Sequence, residues 1–461
     1  MEELPTTPDD VMRRQDLEYV LDCVSNAKCC AVVGLSNMGK SRLLRSLAAR
    51  SGTGASTTKV EPGILFVYID FNLMLDASEQ ALYEIILRSI LAELEQQAVD
   101  AKLAEEVSQA YAGVVQPANS FAASLCFVEG MMALSTGLDA RLVLLCDEFD
   151  EPFETLDDRV FLNLRALRDR YPQAVSYVVA TGRRLRAMRQ EHGAAEFAEL
   201  FAHNVRFLHP LERADAMRFL AELTGEDGTV LTPPQLDFTW DQAGGHLGLL
   251  ESVSREIGRH AEENPQGLSD PQALKRLGEL LDDSQNIRTE CAKLWNGLTE
   301  LEQQALQRFV SGGTAGGQSP ELDALLEKGI LVPGPSGEAR VFARLFEDFG
   351  RRRHLIGQKH TRGVRIDVST GVVLVDGQPS PELTALEYKL LLLLYGNLNR
   401  TCDKYQIVQV VWSEEFLDEV DDARIEKLIS RLRQKIEPDP AQPQFLLTVR
   451  GRGYKLVEPS A

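Results

Sequence analysis

The stretch VVGLSNMGKS, Val32–Ser41, decides the fold of the first half of the chain. It carries Gly-x4-Gly-Lys-Ser at Gly34, Gly39, Lys40 and Ser41. An apolar strand-like run, CCAVVGL, leads into it, and SRLLRSLAAR follows as an amphipathic helix. The glycines let backbone N–H groups curl around phosphates, the Lys40 ammonium neutralises β and γ oxygens, and the Ser41 hydroxyl holds Mg2+. Chance would give this pattern in roughly 1–2% of chains of this length. The reading is therefore an ATP and Mg2+ site, not a Gly-rich turn with a surface lysine.

Such a loop needs an acidic partner on a neighbouring strand. RLVLLCDEFDE, Arg141–Glu151, supplies one. Asp147, at the strand end, would bind Mg2+ through water, and Glu148 would polarise an attacking water as general base. Asp150 and Glu151 read as a solvated edge. Asp70, ending another apolar run, reads as structural.

Working outward, CCAVVGL, ILFVYIDF, RLVLLCDE, AVSYVVAT and NVRFLHPL are five apolar runs without clean polar alternation, the pattern of strands buried on both faces. Helical stretches such as ALYEIILRSILAELEQQ separate them, which predicts a parallel sheet between helices. From about Glu212 to Asp283 the pattern turns entirely helical. Thr299 and Glu302 stand at capping-box spacing, opening a further helix. Gly and Ser in SGGTAGGQSP break that helix; a second helix and a Gly/Pro hairpin follow. FGRRRHLIGQKHTRG reads as an exposed linker, and VRIDVSTGVVLVDGQ as paired strands around Thr370–Gly371. Thr384 and Glu387 repeat the capping-box spacing.

A chain of 461 residues with 44% hydrophobic and 26% charged residues is a soluble globular protein of about three domains. No signal-peptide core or membrane-length apolar run occurs, so a cytoplasmic location and no membrane partner are expected. The seven cysteines form no metal-like pairs and read as reduced core thiols. A net charge of -20 excludes nucleic-acid binding over the whole surface. It does not exclude a local patch.

VVATGRR, LHPLERADAMRFL and DQAGGHLGLLESV join the two motifs above, and over roughly residues 10–350 the chain resembles the STAND group of AAA-related P-loop ATPases. The resemblance implies γ-phosphate sensing by Thr181 and Arg183, with Arg184 an adjacent candidate, and contact of Pro210 with adenine. Gly244, Gly245 and His246 match a Gly-Gly-His-Pro motif that begins a lid helix, which would bring His246 to the nucleotide. Leu247 stands where the motif has Pro, which leaves an ordinary helix-capping or core histidine open. The group often appends a winged helix. Residues 290–345 fit it, with an acidic second helix (Glu321, Asp323, Glu327) suited to packing rather than DNA contact.

The C-terminus reverses the charge. Asp422–Lys455 holds eight Lys and Arg against four Asp and Glu, a net of +4 that leaves -24 for the remainder. In DARIEKLISRLRQKIE, Ile425, Leu428, Ile429, Leu432 and Ile436 share one helical face. Arg424, Lys427 and Arg431 share another, flanked by Ser430 and Arg433 and suited to phosphates and base edges. FLLTVRGRGYKL then reads as strand, Gly-flanked turn and strand. LTALEYKLLLLL, VVW, ISRLRQKI and TVRGRGYKL occur in the order and spacing of the OmpR/PhoB-type winged-helix domain, which residues 364–457 closely resemble. The resemblance implies binding of double-stranded DNA, with a recognition helix at Asp422–Glu437 in the major groove and a wing near Arg452 at the minor groove. Thr448 and Arg450 are implied phosphate contacts. The acidic loop SEEFLDEVDD departs from a DNA-facing composition; in this family that loop often meets RNA polymerase, so a partner-facing surface is expected there.

The fold expected is multidomain α/β plus α+β. Residues 1–211 form a P-loop parallel α/β sandwich, 212–285 a helical lid and 286–348 a winged helix that does not bind DNA. Residues 349–362 form a linker and 363–461 the OmpR/PhoB-type winged helix. The ATPase stands where that family usually has a receiver. The leading functional reading is a transcription regulator in which ATP binding and hydrolysis set the exposure or self-association of the DNA-binding domain. An ATP-driven defence or mobile-element protein that uses DNA binding for targeting is the alternative. A nucleotide-stabilised scaffold without hydrolysis is a third reading, against which the complete Lys40, Ser41, Asp147, Glu148 set argues.

Overall fold

The computed structural model describes residues 12–50, 63–97, 100–119, 121–227, 231–263, 271–282, 284–311, 319–334, 337–359, 363–366, 373–376, 378–381, 383–411, 422–449 and 451–457. The chain divides into two units, Met1–Arg351 and Arg352–Ala461. Arg450, the turn Thr370–Gly371, the acidic residues 413–421 and most of the Gly/Ser stretch after Ser311 lie outside the described residues.

All five apolar runs of the first unit are strands: β1 Cys30–Val33, β2 Ile64–Asp70, β3 Arg141–Asp147, β4 Val175–Thr181 and β5 Val205–Phe207. They form one parallel sheet in the order β2-β3-β4-β1-β5. β1 and β4 are buried along their whole length, which is why their sequences lack polar alternation. Each face of the sheet feeds a separate core. Val32, Phe66, Val143 and Val178 pack with the helix Lys40–Ala48 and with the lid. Val33, Val67, Leu144 and Val179 pack with three helices inserted between β2 and β3, Glu79–Gln96, Ala101–Val115 and Ala122–Gly137, and with the aromatic cluster Phe149, Phe161 and Phe197.

The helical stretch after β5 is Arg213–Asp227, Pro233–Ala243, Leu247–Glu263 and Pro271–Leu281. Helices Gln285–Asn296, Glu300–Val310 and Pro320–Glu327 follow, closed by an antiparallel hairpin of Leu331–Pro333 and Ala339–Val341. The Thr299–Glu302 capping box is made as expected. Leu294, Trp295 and Leu306 from these helices, and Phe346 beyond the hairpin, share a single core with β1. The expected linker is largely a helix, Arg344–Lys359. Its start is fixed by burial of Leu345 and Phe346 and by the i,i+4 pairs Arg344–Asp348 and Arg351–Glu347, so the basic run continues a helix rather than opening a coil.

In the second unit, Val364–Ile366, Val373–Val375 and Gln378–Pro379 form an antiparallel sheet. Helices Ala385–Gly396, Lys404–Val411 and Asp422–Ile436 follow, then a hairpin of Leu446–Val449 and Gly453–Leu456. Ile425, Leu428, Ile429, Leu432 and Ile436 are all buried in its core, as the helical spacing predicts. The Thr384–Glu387 capping box is made. Glu387 also accepts from Lys435 at 2.6 Å while almost fully buried. Burial alone would raise its carboxyl; the bonds from Lys435 and Thr384 outweigh that and hold it below its ordinary value. All seven cysteines are free thiols, six of them buried.

Candidate functional site: a phosphate cleft and a basic helix

The loop after β1 gathers the first site. Gly39 takes φ 94° as the N-cap of the helix Lys40–Ala48, a backbone state that suits glycine. Gly34 N–H donates to Thr181 O at 3.0 Å, tying the loop to β4. The Lys40 ammonium is almost buried and donates to Gly34 O at 2.8 Å and Leu35 O at 3.4 Å, held at the loop's centre. Gly39, Lys40, Ser41, Glu148 and Asp150 line one cleft of about 1160 Å3, with lid residues Leu247, Gly248 and Arg255 on its other wall.

Parallel pairing of β2 with β3 sets Asp70 opposite Asp147. Asp147 is 1% exposed. Its Oδ1 accepts from Glu148 N–H at 3.1 Å and its Oδ2 from the Tyr68 hydroxyl at 2.7 Å. Burial, then the bond to Asp147, pushes the Tyr68 hydroxyl well above its ordinary range, so it stays a donor. The Arg45 guanidinium lies over the Tyr68 ring at 5.2 Å. Glu148 has φ 54°, a left-handed conformation that is strained for a glutamate and turns its side chain into the cleft. Desolvation raises its carboxyl above the ordinary value, Lys40 opposes this, and Asp147, Asp150 and Asp70 reinforce it. Asp70 caps a short turn through Asn72 N–H, in line with a structural reading. Asp150, expected at a solvated edge, instead lines the cleft and accepts from Gly182 N–H at 2.8 Å.

Thr181, Arg183, Arg184, Pro210 and His246 stand outside that cleft lining. Arg183 pairs with Glu154 at 2.6 Å, while Thr181 spends its hydroxyl on Arg183 O at 2.8 Å. The neighbouring Arg184 pairs with Glu327 of the winged helix and lies over the Phe207 ring. Pro210 lines a second cavity of about 1130 Å3 with Arg13, Tyr19, Arg206 and His209. His246 is fully buried and does not line the cleft. Its Nδ1 accepts from Leu249 N–H at 3.2 Å, so Nε2 carries the proton and donates to Ser36 O at 2.9 Å. Burial pushes its pKa down to about 4, so the ring is neutral at physiological pH. The histidine grips the loop backbone where the motif resemblance had implied nucleotide contact.

The paired glycines before it have a packing reason. A Cβ on Gly244 would sit 1.8 Å from Phe342 O, and one on Gly245 2.2 Å from Leu211 O.

Sequence reasoning missed Arg13. In a left-handed backbone state, it donates to Met38 O at 2.5 Å, His209 O at 2.7 Å and Asp16 at 3.0 Å. It also missed Glu290, which accepts from Asn37 Nδ2 at 2.6 Å. Neither belongs to a motif; only the fold brings them to the loop.

The second site is the helix Asp422–Ile436. Arg424, Lys427, Ser430 and Arg431 are exposed along it. Arg433 differs: it donates to Leu446 O at 2.7 Å and to Thr448 Oγ1 at 2.8 Å, bracing the helix against the hairpin. Glu437 completes the brace by accepting from the backbone of Gln444, Phe445 and Leu446 at 2.6–2.9 Å. Arg452 is exposed at the hairpin tip. Gly453 lies so close to Cys402 O that a Cβ would meet it at 2.1 Å, so the hairpin's path depends on glycine there.

The fold and the first site define a P-loop α/β unit, joined in one chain to a small winged helix. Comparison with known proteins identifies the latter. The family described as transcriptional regulatory protein, C terminal, matches residues 377–456, so the chain carries an OmpR/PhoB-type C-terminal domain. The uncharacterized transcriptional regulatory protein YcbL of Bacillus subtilis is 43% identical over 93 residues, 20% of this chain and 40% of that protein. The sensory transduction protein RegX3 of Mycolicibacterium smegmatis is 42% identical over 93 residues with the same coverage. The chain thus spans about 40% of the length of these relatives. Among solved structures, the Walker-type ATPase paby2304 of Pyrococcus abyssi aligns over 76% of this chain and 98% of its own at 14% identity and TM-score 0.45. The RstA DNA-binding domain of Klebsiella pneumoniae, solved with its RstA box, aligns over 21% and 91% at 24% identity and TM-score 0.19. No helix among the described residues is long and apolar enough to cross a membrane.

Proposed function

We propose that the chain is an ATP-binding and ATP-hydrolysing transcription regulator that reads double-stranded DNA with its C-terminal domain. One observation carries the reading. A cleft lined by Gly39, Lys40, Ser41 and Glu148 has its other wall built from helices Leu247–Glu263 and Gln285–Asn296, in a chain whose C-terminal domain is of the transcriptional-regulator type. The residues fit the nucleotide. Lys40 is held at the loop's centre for the β and γ oxygens, and Ser41 lines the cleft. Both Asp147 oxygens already have a donor, which suits a metal-bound water better than direct ligation. Bound Mg2+ would neutralise charge on the β and γ oxygens. Glu148, its carboxyl raised by desolvation, would take a proton from the attacking water.

Leu247, Asn286, Glu290 and Lys293 share the cleft with Lys40, so phosphate occupancy acts directly on the lid and winged helix. Coupling of this kind amounts to about 5- to 150-fold in affinity. The ADP and nonhydrolysable-ATP-analogue forms of the full chain should therefore differ within that range in affinity for one DNA site selected from random duplexes. Equal affinities at several protein concentrations would favour a scaffold. The reading also includes nucleotide-dependent self-association, which light scattering of the same samples measures. The RNA polymerase surface implied for Ser413–Asp422 belongs to the same proposal.

A further inference from the structure

A phosphate loop ordinarily surrounds itself with donors and positive charge. Here a carboxylate is bonded into it. Asn37, the third residue after Gly34, is held at φ 57°, a left-handed state that asparagine tolerates. Its amide donates to Glu290 Oε2 at 2.6 Å, across 253 residues of sequence. The other oxygen, Oε1, accepts from Lys293 Nζ at 2.7 Å. Glu290 is 9% exposed, whereas its lysine partner is about half exposed. The lid makes room for this contact with a glycine: a Cβ on Gly248 would stand 2.1 Å from Glu290 Oε2. Glu290, Lys293, Gly248 and Lys40 line the same cleft.

The electrostatic consequence depends on how many phosphates enter. The loop's N–H groups and Lys40 can meet a β-phosphate without the lid. A third phosphate adds negative charge to a cleft lined by the carboxylates of Glu148, Asp150, Glu251 and Glu290 and by the cations Lys40, Arg42, Arg45, Arg255 and Lys293. Of these carboxylates, Glu290 is the one bonded to Asn37 of the loop, and its paired ammonium is half exposed. The Asn37 amide, tied to Glu290, is not free to turn to a phosphate oxygen. Like charges several Å apart in a partly desolvated cleft change affinity by about tenfold or more.

We propose that Glu290 is a specificity-determining residue that biases this conformation toward a nucleoside diphosphate over a triphosphate, with Lys293 setting the size of the bias. The proposal rests on the nucleotide reading of the cleft. It assigns discrimination to the appended winged helix, which supplies both residues, and it makes triphosphate binding work against the contact that seats that helix on the loop.

The test is calorimetric titration of the full chain with Mg2+ and either ADP or a nonhydrolysable ATP analogue. Glu290→Gln keeps the shape and removes the charge; it should raise the triphosphate-to-diphosphate affinity ratio about tenfold and leave ADP affinity within a few-fold. Lys293→Met removes the compensating charge and should lower the same ratio a few-fold. Opposite signs from two neighbouring substitutions are not the mark of general damage, and melting curves check that both variants are folded. A ratio that stays fixed in Glu290→Gln while ADP still binds overturns the proposal. Should that variant fail to fold, Lys293→Met decides alone, and a fixed or raised ratio there overturns it. Absence of binding by the unsubstituted chain overturns the nucleotide reading and this proposal together.

Discussion

Lys40→Ala should reduce ATP affinity by about two to four orders of magnitude. The ammonium is almost buried and fixed by two loop carbonyls, so it is pre-organised for phosphate. Hydrogen bonds to charged groups contribute roughly 1.5–3 kcal/mol each, and two of them give the stated range. Calorimetric titration measures the loss directly. Unchanged affinity would mean that the loop does not bind phosphate.

Glu148→Gln should separate binding from turnover. The amide keeps the shape of the side chain and leaves Asp147 with both its donors. ATP should bind as before, while hydrolysis falls by about 10²–10⁴-fold, the usual contribution of a positioned general base. Because desolvation raises this carboxyl, the unsubstituted protein should lose turnover on acidification earlier than an ordinary glutamate would dictate. The base works only when ionised, so activity is present above its raised pKa and lost as pH falls through it. A turnover assay across pH, run on both proteins, reads the two effects.

What the sequence could disclose about this site was the part made of neighbours in the chain. The loop, its strand and its helix lie within about twenty residues, and the chemistry of Gly39, Lys40 and Ser41 dictates their order. Both capping boxes were readable for the same reason. The grip on the loop was not readable. His246 reaches Ser36 across 210 residues and Glu290 reaches Asn37 across 253, pairings set by packing of the lid and winged helix. Arg433 shows the opposite error. On a helical projection it flanks the basic face, but the hairpin that follows captures it through Leu446 O and Thr448 Oγ1. Periodicity gives the face of a helix and cannot tell which charges on it are already spent inside the domain.

Arg431→Ala should cost about 1–3 kcal/mol on a selected DNA site and little on a scrambled one, because the exposed helix face is where base edges would be read. Lys427 and Arg431 are exposed, and no hydrogen bond or ion pair among the described residues engages either. Arg452→Ala, at the hairpin tip, should fall between specific and general loss, since a minor-groove contact senses width more than base identity. A pure phosphate contact, the role implied for Arg450, should weaken all sequences alike and lower the salt slope of log K by about 0.9. Arg433→Ala should also weaken both DNAs, but for a different reason: it releases the hairpin from the helix and so lowers the melting temperature as well. A salt series on the full chain with the two DNAs, paired with thermal melting, separates these cases. If Arg431→Ala and Arg452→Ala leave binding untouched at low salt, the positive face of this acidic protein is a solvated surface and the DNA reading fails.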